Sequence, residues 1–254
     1  MAESLVINEI YLSVQGESTF AGLPCIFIRL TACNLRCSYC DTAYAFTEGK
    51  RQKLSDIIAK VKQLAEPFDD AGSRLGYDRN SGIIPRLPLV ELTGGEPLLQ
   101  KGSLALMKAL CDEGFKVLLE TSGAHDISKV DHRVRQIMDL KCPSSGEVSR
   151  NRWENLSALN HVDEIKFVVG TWEDYEWVKA TIAERKLASI CPLLVSWVHP
   201  LATDQQDKSL KPVPPGQKPI SRKDLVEKIV ADALPVRFQI QMHKVIWPPD
   251  QRGV

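Results

Sequence analysis

Cys25-Ile26-Phe27-Ile28-Arg29-Leu30 leads, two residues later, into Cys33-Asn34-Leu35-Arg36-Cys37-Ser38-Tyr39-Cys40. The first run is apolar, β-branched and aromatic, and reads as a buried strand. The second places three thiolates within one short loop. A zinc site usually takes four ligands, and this loop offers three. Three cysteines without an adjacent fourth suggest an iron–sulfur cluster with one iron left open, because thiolates are the usual protein ligands of such clusters. An open iron binds a substrate or cofactor, so the loop points to chemistry rather than to a structural staple.

The same strand-then-motif order recurs along the chain. Leu5 to Val14 reads as a strand that ends in Gln15, Gly16 and Glu17. From Leu54 to Ala65 the apolar residues fall on one helical face. Residues 67–88 are rich in Gly, Asp, Arg and Pro and read as an irregular insertion. Strands are then expected at Leu87 to Leu92, Lys116 to Glu120, Val134 to Leu140, Glu164 to Val169, Ile190 to Val195 and Val236 to Gln241. Helices are expected at Ser103 to Glu113, weakly at Ile127 to Val130, briefly at Trp153 to Leu159, and after Thr171, whose capping-box partner is Asp174. A Pro-rich loop covers 200–219, and Ser221 with Asp224 opens a helix reaching about Ala233. This alternation argues for a parallel sheet covered by helices. The rhythm continues across both loops, so residues 1–254 read as one domain with insertions at about 67–88 and 200–219.

In a βα barrel, reactive groups belong at the C-terminal ends of the strands. Thr93-Gly94-Gly95-Glu96-Pro97, Glu120-Thr121-Ser122-Gly123 and Asp139-Leu140-Lys141-Cys142-Pro143 all fall there. So do Ser196, Trp197 and His199, and Gln241, Met242, His243 and Lys244. Gly94 and Gly95 let a backbone approach a ligand closely, or form a plain strand-to-helix turn. Asp41 and Thr42 offer oxygen ligands to a cation such as Mg²⁺, or cap a helix. Arg29, on an apolar strand, needs either a carboxylate partner or an anionic ligand. His243 and Lys244 face the mouth of the sheet or solvent, and Trp172 and Trp177 read as packing.

Composition bounds the class. The 254 residues are 44% hydrophobic and 25% charged, which suits a soluble globular protein with a sizeable core. Lysine plus arginine equals aspartate plus glutamate at 32 each, so net charge gives no support to a nucleic-acid or membrane-surface role. The sequence shows neither a bilayer-spanning apolar run nor a signal peptide, and a cytoplasmic protein is expected. Seven cysteines, three of them crowded, do not read as a secreted disulfide framework. Cys25, Cys111, Cys142 and Cys191 read as small buried hydrophobes.

Cys-x3-Cys-x2-Cys after a strand, with Gly-Gly-Glu-Pro after the next, resembles the radical S-adenosylmethionine superfamily. Asn8-Glu9-Ile10, Val14-Gln15-Gly16-Glu17-Ser18, the run from Gly22 to Leu30, Cys40-Asp41-Thr42 and His243-Lys244 resemble one family within it, the 7-carboxy-7-deazaguanine synthases. The resemblance spans residue 8 to about 244. Ser18 stands where that family usually has glycine, and Asp139 to Pro143 departs from the Ser-Pro-Lys of some members.

The resemblance implies a partial (β/α) barrel with about six parallel strands. It implies that Cys33, Cys37 and Cys40 ligate a [4Fe-4S] cluster whose fourth iron takes S-adenosylmethionine. Tyr39, Cys40, Asp41, Gly94, Gly95, Glu96, Ser122, Lys141 and Ser196 would contact the cofactors. Val14, Gln15, Gly16, Glu17, Arg29, Thr93, His243 and Lys244 would contact the substrate, and Thr42 would bind Mg²⁺. The implied reaction begins when a 5′-deoxyadenosyl radical takes hydrogen from C6 of 6-carboxy-5,6,7,8-tetrahydropterin. Ring contraction and loss of ammonia then give 7-carboxy-7-deazaguanine, a precursor in queuosine biosynthesis. Such a carbon–nitrogen lyase needs an electron donor such as flavodoxin or ferredoxin, and a homodimer is expected.

Two other readings compete. A glycyl-radical activating enzyme shares the cysteine triplet and glycine motif, but Gln15, Glu17 and Cys40-Asp41-Thr42 favour the pterin. A zinc-dependent structural or binding module could draw its fourth ligand from His125, His132, His199 or His243, but it leaves the strand-end motifs unexplained.

Overall fold

Alternation along the strands sorts their side chains onto two faces. On β2 (Pro24–Leu30), Ile26, Ile28 and Leu30 point one way and join the core formed with helices α1 (Leu54–Arg74) and α2 (Gly102–Asp112). Cys25, Phe27 and Arg29 point the other way, into the barrel. On β4 (Leu89–Gly94), Val90 and Leu92 pack outward, while Glu91 and Thr93 point inward. On β7 (Glu164–Val169), Ile165, Phe167 and Val169 pack outward and Lys166 points inward. This is the period-2 pattern of a strand, with helices on the outer face and a cavity on the inner one. Each fully buried Ile or Leu contributes about 1.5–3 kcal/mol, so the outer face holds the fold and leaves the inner face free for polar groups.

The computed structural model describes residues 4–74, 86–201, 205–248 and 251–254. All nine of its strands belong to one sheet, ordered β3-β1-β2-β4-β5-β6-β7-β8-β9. The remaining strands are β1 (Ser4–Val14), β3 (Lys50–Lys53), β5 (Val117–Thr121), β6 (Arg135–Asp139), β8 (Leu193–Trp197) and β9 (Arg237–Gln239). β2 and β4 through β9 run parallel, seven strands rather than the six expected. The sheet does not close: β3 and β9 are its two edges. Helices α3 (Trp172–Arg185) and α4 (Arg222–Ala231) cover the second half. Among the described residues no helix is long and apolar enough to cross a membrane.

The structure corrects several sequence expectations. β1 is antiparallel to both β2 and β3, so the turn after Val14 lies at the N-terminal side of the parallel strands. β3 was missed because Lys50-Arg51-Gln52-Lys53 carries no apolar residue. α1 runs through Pro67 to Arg74 instead of ending near Ala65. The carbonyl that Pro67 leaves unpaired belongs to Gln63, which is exposed. Of the expected insertion, 75–85 lies outside the described residues, as does 202–204 of the second loop. The weak helix at Ile127 to Val130 is a turn, and Trp153–Ala158 is a 3-10 helix. The expected strand from Ile190 begins only at Leu193, which places Ser196 inside β8. β9 stops at Gln239, and His243 and Lys244 lie on the short helix α5 (His243–Ile246) instead of a strand end. Thr171 and Asp174 form the expected capping box.

Candidate active site

The cysteine loop lies at the C-terminal side of the parallel strands, between β2 and a 3-10 turn at Ala43–Phe46. All three thiols are free, Cys37 buried and the other two partly so. Burial raises each thiol's pKa, that of Cys37 to about 12. The Lys141 ammonium opposes this at Cys33 and Cys37. Such thiols stay protonated without metal and ionise when a metal binds. Lys141 is itself held by Asp139, Nζ to Oδ2, at 2.7 Å.

The glycine motif is registered directly onto this loop. Gly95 N–H donates to the Leu30 carbonyl at 3.1 Å, and Glu96 N–H to that of Ala32 at 2.9 Å. A Cβ on Gly95 would stand 2.0 Å from the Ala32 carbonyl oxygen, and Gly94 has a φ of +119° with Leu30 backbone atoms within 2.5 Å of its missing Cβ. Both glycines are required because two strand ends touch there. Of the two uses the sequence left open for them, a ligand's approach or a plain strand-end turn, this packing accounts for the turn. Glu96 is fully buried and accepts from Thr121 Oγ1 at 2.9 Å, Ser122 N at 2.8 Å and Ser122 Oγ at 2.5 Å. It ties β4's exit to β5's and orients Ser122.

Below this rim the chamber is lined by charge. Arg29 Nε pairs with Glu9 at 2.7 Å and Nη2 donates to the Tyr11 hydroxyl at 3.0 Å. The Tyr44 hydroxyl donates to the same Glu9 oxygen, Oε1, at 3.0 Å. Lys166 binds Glu17 at 3.0 Å and also Glu120, which accepts from Thr93 Oγ1 at 3.0 Å. Burial disfavours the ionised forms of both Lys166 and Glu120. Their mutual attraction wins, raising the lysine's pKa well above its ordinary value and lowering that of Glu120. Glu91 has no such cation of its own. Burial, with Glu120 and Glu17 nearby, pushes its pKa well above the usual carboxylate value, and it accepts a hydrogen bond from Gln15 Nε2.

The turn between β1 and β2 closes the N-terminal side of the chamber. Thr19 N–H and hydroxyl both reach Glu164, the first residue of β7, and Phe20 lies under the guanidinium of Arg135, the first residue of β6. Ser18 N–H donates to Gln239 Oε1 at 2.8 Å. Glu17 Oε1 accepts from Gln241 at 2.7 Å, and its Oε2 from Gln239 at 3.3 Å. α5 packs beside this turn: Met242 N–H donates to the Gly16 carbonyl at 3.0 Å, and a Cβ on Gly16 would be 2.8 Å from His243 Nδ1. Burial lowers the His243 pKa from its ordinary value. Lys244 reaches Asp41 at 2.5 Å. Burial alone would raise the Asp41 pKa, but the Lys244 ammonium holds it at about 2.

These groups share one cavity of about 250 Å³. Cys33, Cys37, Tyr39, Cys40, Asp41, Thr42, Gly94, Gly95, Ser122 and Lys141 line it, as do Val14, Gln15, Gly16, Glu17, Arg29, Thr93, His243 and Lys244. Two expected cofactor contacts do not line it. Glu96 is taken up by the β5 end, and Ser196 is fully buried with its Oγ hydrogen-bonded to Gln239 at 3.0 Å. Glu91 and Lys166 line the cavity and were not singled out from sequence. The available signal was a charged residue at an inward position of an otherwise apolar strand. The C-terminal residues Gln251 to Val254 also line it, with Arg252 paired to Glu48 at 2.7 Å and lying over the Tyr44 ring at 3.8 Å.

The chamber's donor set fits a polar cofactor beside the cysteines. Tyr39 Oη and Asp139 Oδ1 are buried at its wall with no hydrogen-bond partner among the described residues. An orphaned hydroxyl and an orphaned carboxylate oxygen next to a thiol triad call for a ligand with both donors and acceptors.

Comparison with known proteins agrees. The model of the radical SAM superfamily matches residues 27–144. A 7-carboxy-7-deazaguanine synthase of Koribacter versatilis is 40% identical over 98% of this chain and 99% of its own length. One from Chlorobaculum tepidum is also 40% identical, over 98% and 97%. Among solved structures, that of QueE from Escherichia coli superposes with a TM-score of 0.64 at 22% identity, covering 94% of this chain and 95% of the other.

Proposed function

This chain belongs to the 7-carboxy-7-deazaguanine synthase family of the radical S-adenosylmethionine superfamily, and from that premise we propose how its chamber divides the work. It is a radical S-adenosylmethionine enzyme of 7-deazapurine biosynthesis, a lyase that uses a [4Fe-4S] cluster and S-adenosylmethionine. The substrate we assign is 6-carboxy-5,6,7,8-tetrahydropterin, converted to 7-carboxy-7-deazaguanine with loss of ammonia. One observation carries the assignment: three cysteines line the same cavity as the carboxylate, amide and guanidinium groups of Glu17, Gln15 and Arg29.

Cys33, Cys37 and Cys40 would hold the cluster. Ser122, Lys141, Asp139 and the Tyr39 hydroxyl would receive S-adenosylmethionine beside it. When bound, this pair supplies a carbon-centred radical that takes hydrogen from the substrate. The protein's own residues bind, orient and exclude water. Arg29, fixed by Glu9 and Tyr11 through Nε and Nη2, keeps Nη1 to donate to the substrate carboxylate. Glu17 accepts from the pterin's amidine-like edge, its Oε2 positioned by Lys166 Nζ at 3.0 Å. Glu91, its pKa pushed well above the usual carboxylate value by burial, holds Gln15, whose Oε1 accepts from Glu17 N–H at 2.7 Å and sets that turn. Thr42 would hold Mg²⁺ together with the substrate and water. Asp41 is committed to Lys244 and is not a second ligand in this reading.

We also assign the enzyme to the cytoplasm, as one domain, acting as a homodimer and fed electrons by a flavodoxin- or ferredoxin-like donor. The test is anaerobic reconstitution of the cluster followed by addition of S-adenosylmethionine, Mg²⁺, reductant and 6-carboxytetrahydropterin. The deazaguanine is expected by mass, and Cys37→Ala should lose both cluster and product. Unchanged pterin in the presence of an intact cluster and S-adenosylmethionine cleavage would overturn the substrate assignment.

A further inference from the structure

Arg36 sits between the first two cysteines, and both polar groups of its backbone are held from outside the loop. Its N–H donates to Glu147 Oε1 at 2.7 Å. Its carbonyl accepts from the backbone N–H of Lys211 at 2.9 Å. Glu147 and Lys211 are in turn an ion pair, Nζ to Oε2 at 2.9 Å. The two peptide planes that flank Arg36 are therefore fixed by the two members of one salt bridge. Glu147 comes from the turn after β6, and Lys211 from the long segment between β8 and α4.

The site is built for this contact. Lys211 Nζ also donates to the Gly146 carbonyl at 2.8 Å. Gly146 has a φ of +71°, and a Cβ there would meet the lysine's Cδ at 3.0 Å, so the lysine stem lies on bare backbone. The same turn binds the loop a second time: Ser38 N–H donates to the Ser145 carbonyl at 3.1 Å and Ser38 Oγ to that of Ser144 at 2.7 Å. Asp174 anchors the turn from below, accepting from Ser144 N at 2.7 Å. The Glu147 side chain is 5% exposed and that of Lys211 46%. A carboxylate buried that far needs its cation, so the pair is strongest where it meets Arg36.

We propose that Lys211 and Glu147 are positioning residues for the iron–sulfur site, an ion pair that sets the Cys33–Cys37 segment in its metal-binding conformation before the cluster arrives. This inference rests on the reading of the three cysteines as cluster ligands. A loop already ordered loses little chain entropy when metal binds, and outer partners of metal ligands commonly change metal affinity 10–100-fold when removed. It gives the 200–219 segment a role in the chemistry although it contributes no ligand.

Two measurements test it, one on the metal-free chain and one on the reconstituted enzyme. In the metal-free chain, Lys211→Met should speed deuterium exchange at the Arg36 amide. In the reconstituted enzyme it should speed iron loss to a chelator by about tenfold. Lys211→Arg, which keeps the cation, should restore both, and Lys208→Met, an exposed lysine of the same segment, should match wild type. Glu147→Gln keeps an acceptor for Arg36 but not the charge; it should lose iron faster than wild type, and it carries the test if Lys211→Met fails to fold. Wild-type exchange and iron loss in both variants would overturn the proposal, as would equal loss in Lys208→Met. Wild-type protein that takes up no iron and sulfide would instead overturn the ligand reading beneath it.

Discussion

Glu91 carries a carboxyl group into a wall where no cation is dedicated to it. Its pKa is raised on folding from an ordinary 4.5. For such a group the folded state binds protons more tightly than the unfolded chain. Its contribution is fully present below pH 4.5 and is lost as pH rises toward the folded value. Glu91→Gln does not titrate, so its Tm should exceed wild type's at pH 8, with the gap closing by pH 4. Thermal melts across that range check it; a constant gap would show that packing, not protonation, sets the difference. Lys244 presents the opposite case. Its removal in Lys244→Met leaves Asp41 without its cation. It should lose roughly 2 kcal/mol in chemical denaturation, less than for a fully buried pair because Asp41 keeps 26% exposure. Adding Asp41→Asn should recover most of that loss. The cysteines were legible because their chemistry is local. Glu91 and Lys166 were not, because one charge in a strand reads equally as a solvent-facing alternate until neighbouring strands wrap around it.

At the scale of elements, the contact between the β4 exit and the start of the cysteine loop is the most exacting. Gly95→Ala would place a methyl 2.0 Å from the Ala32 carbonyl oxygen, and the obstacle is backbone, which cannot rotate away. The expected result is a chain that keeps its far-ultraviolet circular dichroism but takes up far less iron on reconstitution, measured per chain. Full iron loading would show that the loop can be placed without that turn. Most strands and helices were readable from apolar runs and caps, as Thr171 and Asp174 illustrate. Direction was not. Nothing in Leu5 to Val14 says whether it runs with or against Cys25 to Leu30; the short turn at 15–22 decides it, since a parallel neighbour needs a long crossover. α5 was read as a strand end because its four residues are too few to show a helical period.

Across the whole molecule, the cysteines proposed to hold the cluster gather at one end of the barrel and the turn at 15–22 closes the other. The two ends should therefore fail separately. Glu164→Ala removes the carboxylate that holds Thr19, and should raise the KM for the pterin about tenfold, near 1.4 kcal/mol. Iron content and S-adenosylmethionine binding should stay at wild-type levels. A parallel loss of iron would show instead that the two ends are coupled through the strands. The sequence placed the polar motifs at strand C-termini correctly for the cysteine and glycine loops. Gln15 and Glu17 follow the first strand as expected, and they enter from the N-terminal side because β1 is antiparallel to β2.

An open sheet leaves two rows of unpaired backbone groups, and the chain treats them differently. One edge, β3, is Lys50-Arg51-Gln52-Lys53, with three cations in four residues. The other, β9, is three residues long. A stray strand from another molecule would have to bury those cations or settle for a very short ladder. The residues that looked least like a strand thus guard the part of the edge that β3 forms against a passing strand. Neutralising Lys50, Arg51 and Lys53 together would make aggregation, rather than loss of turnover, the first visible defect.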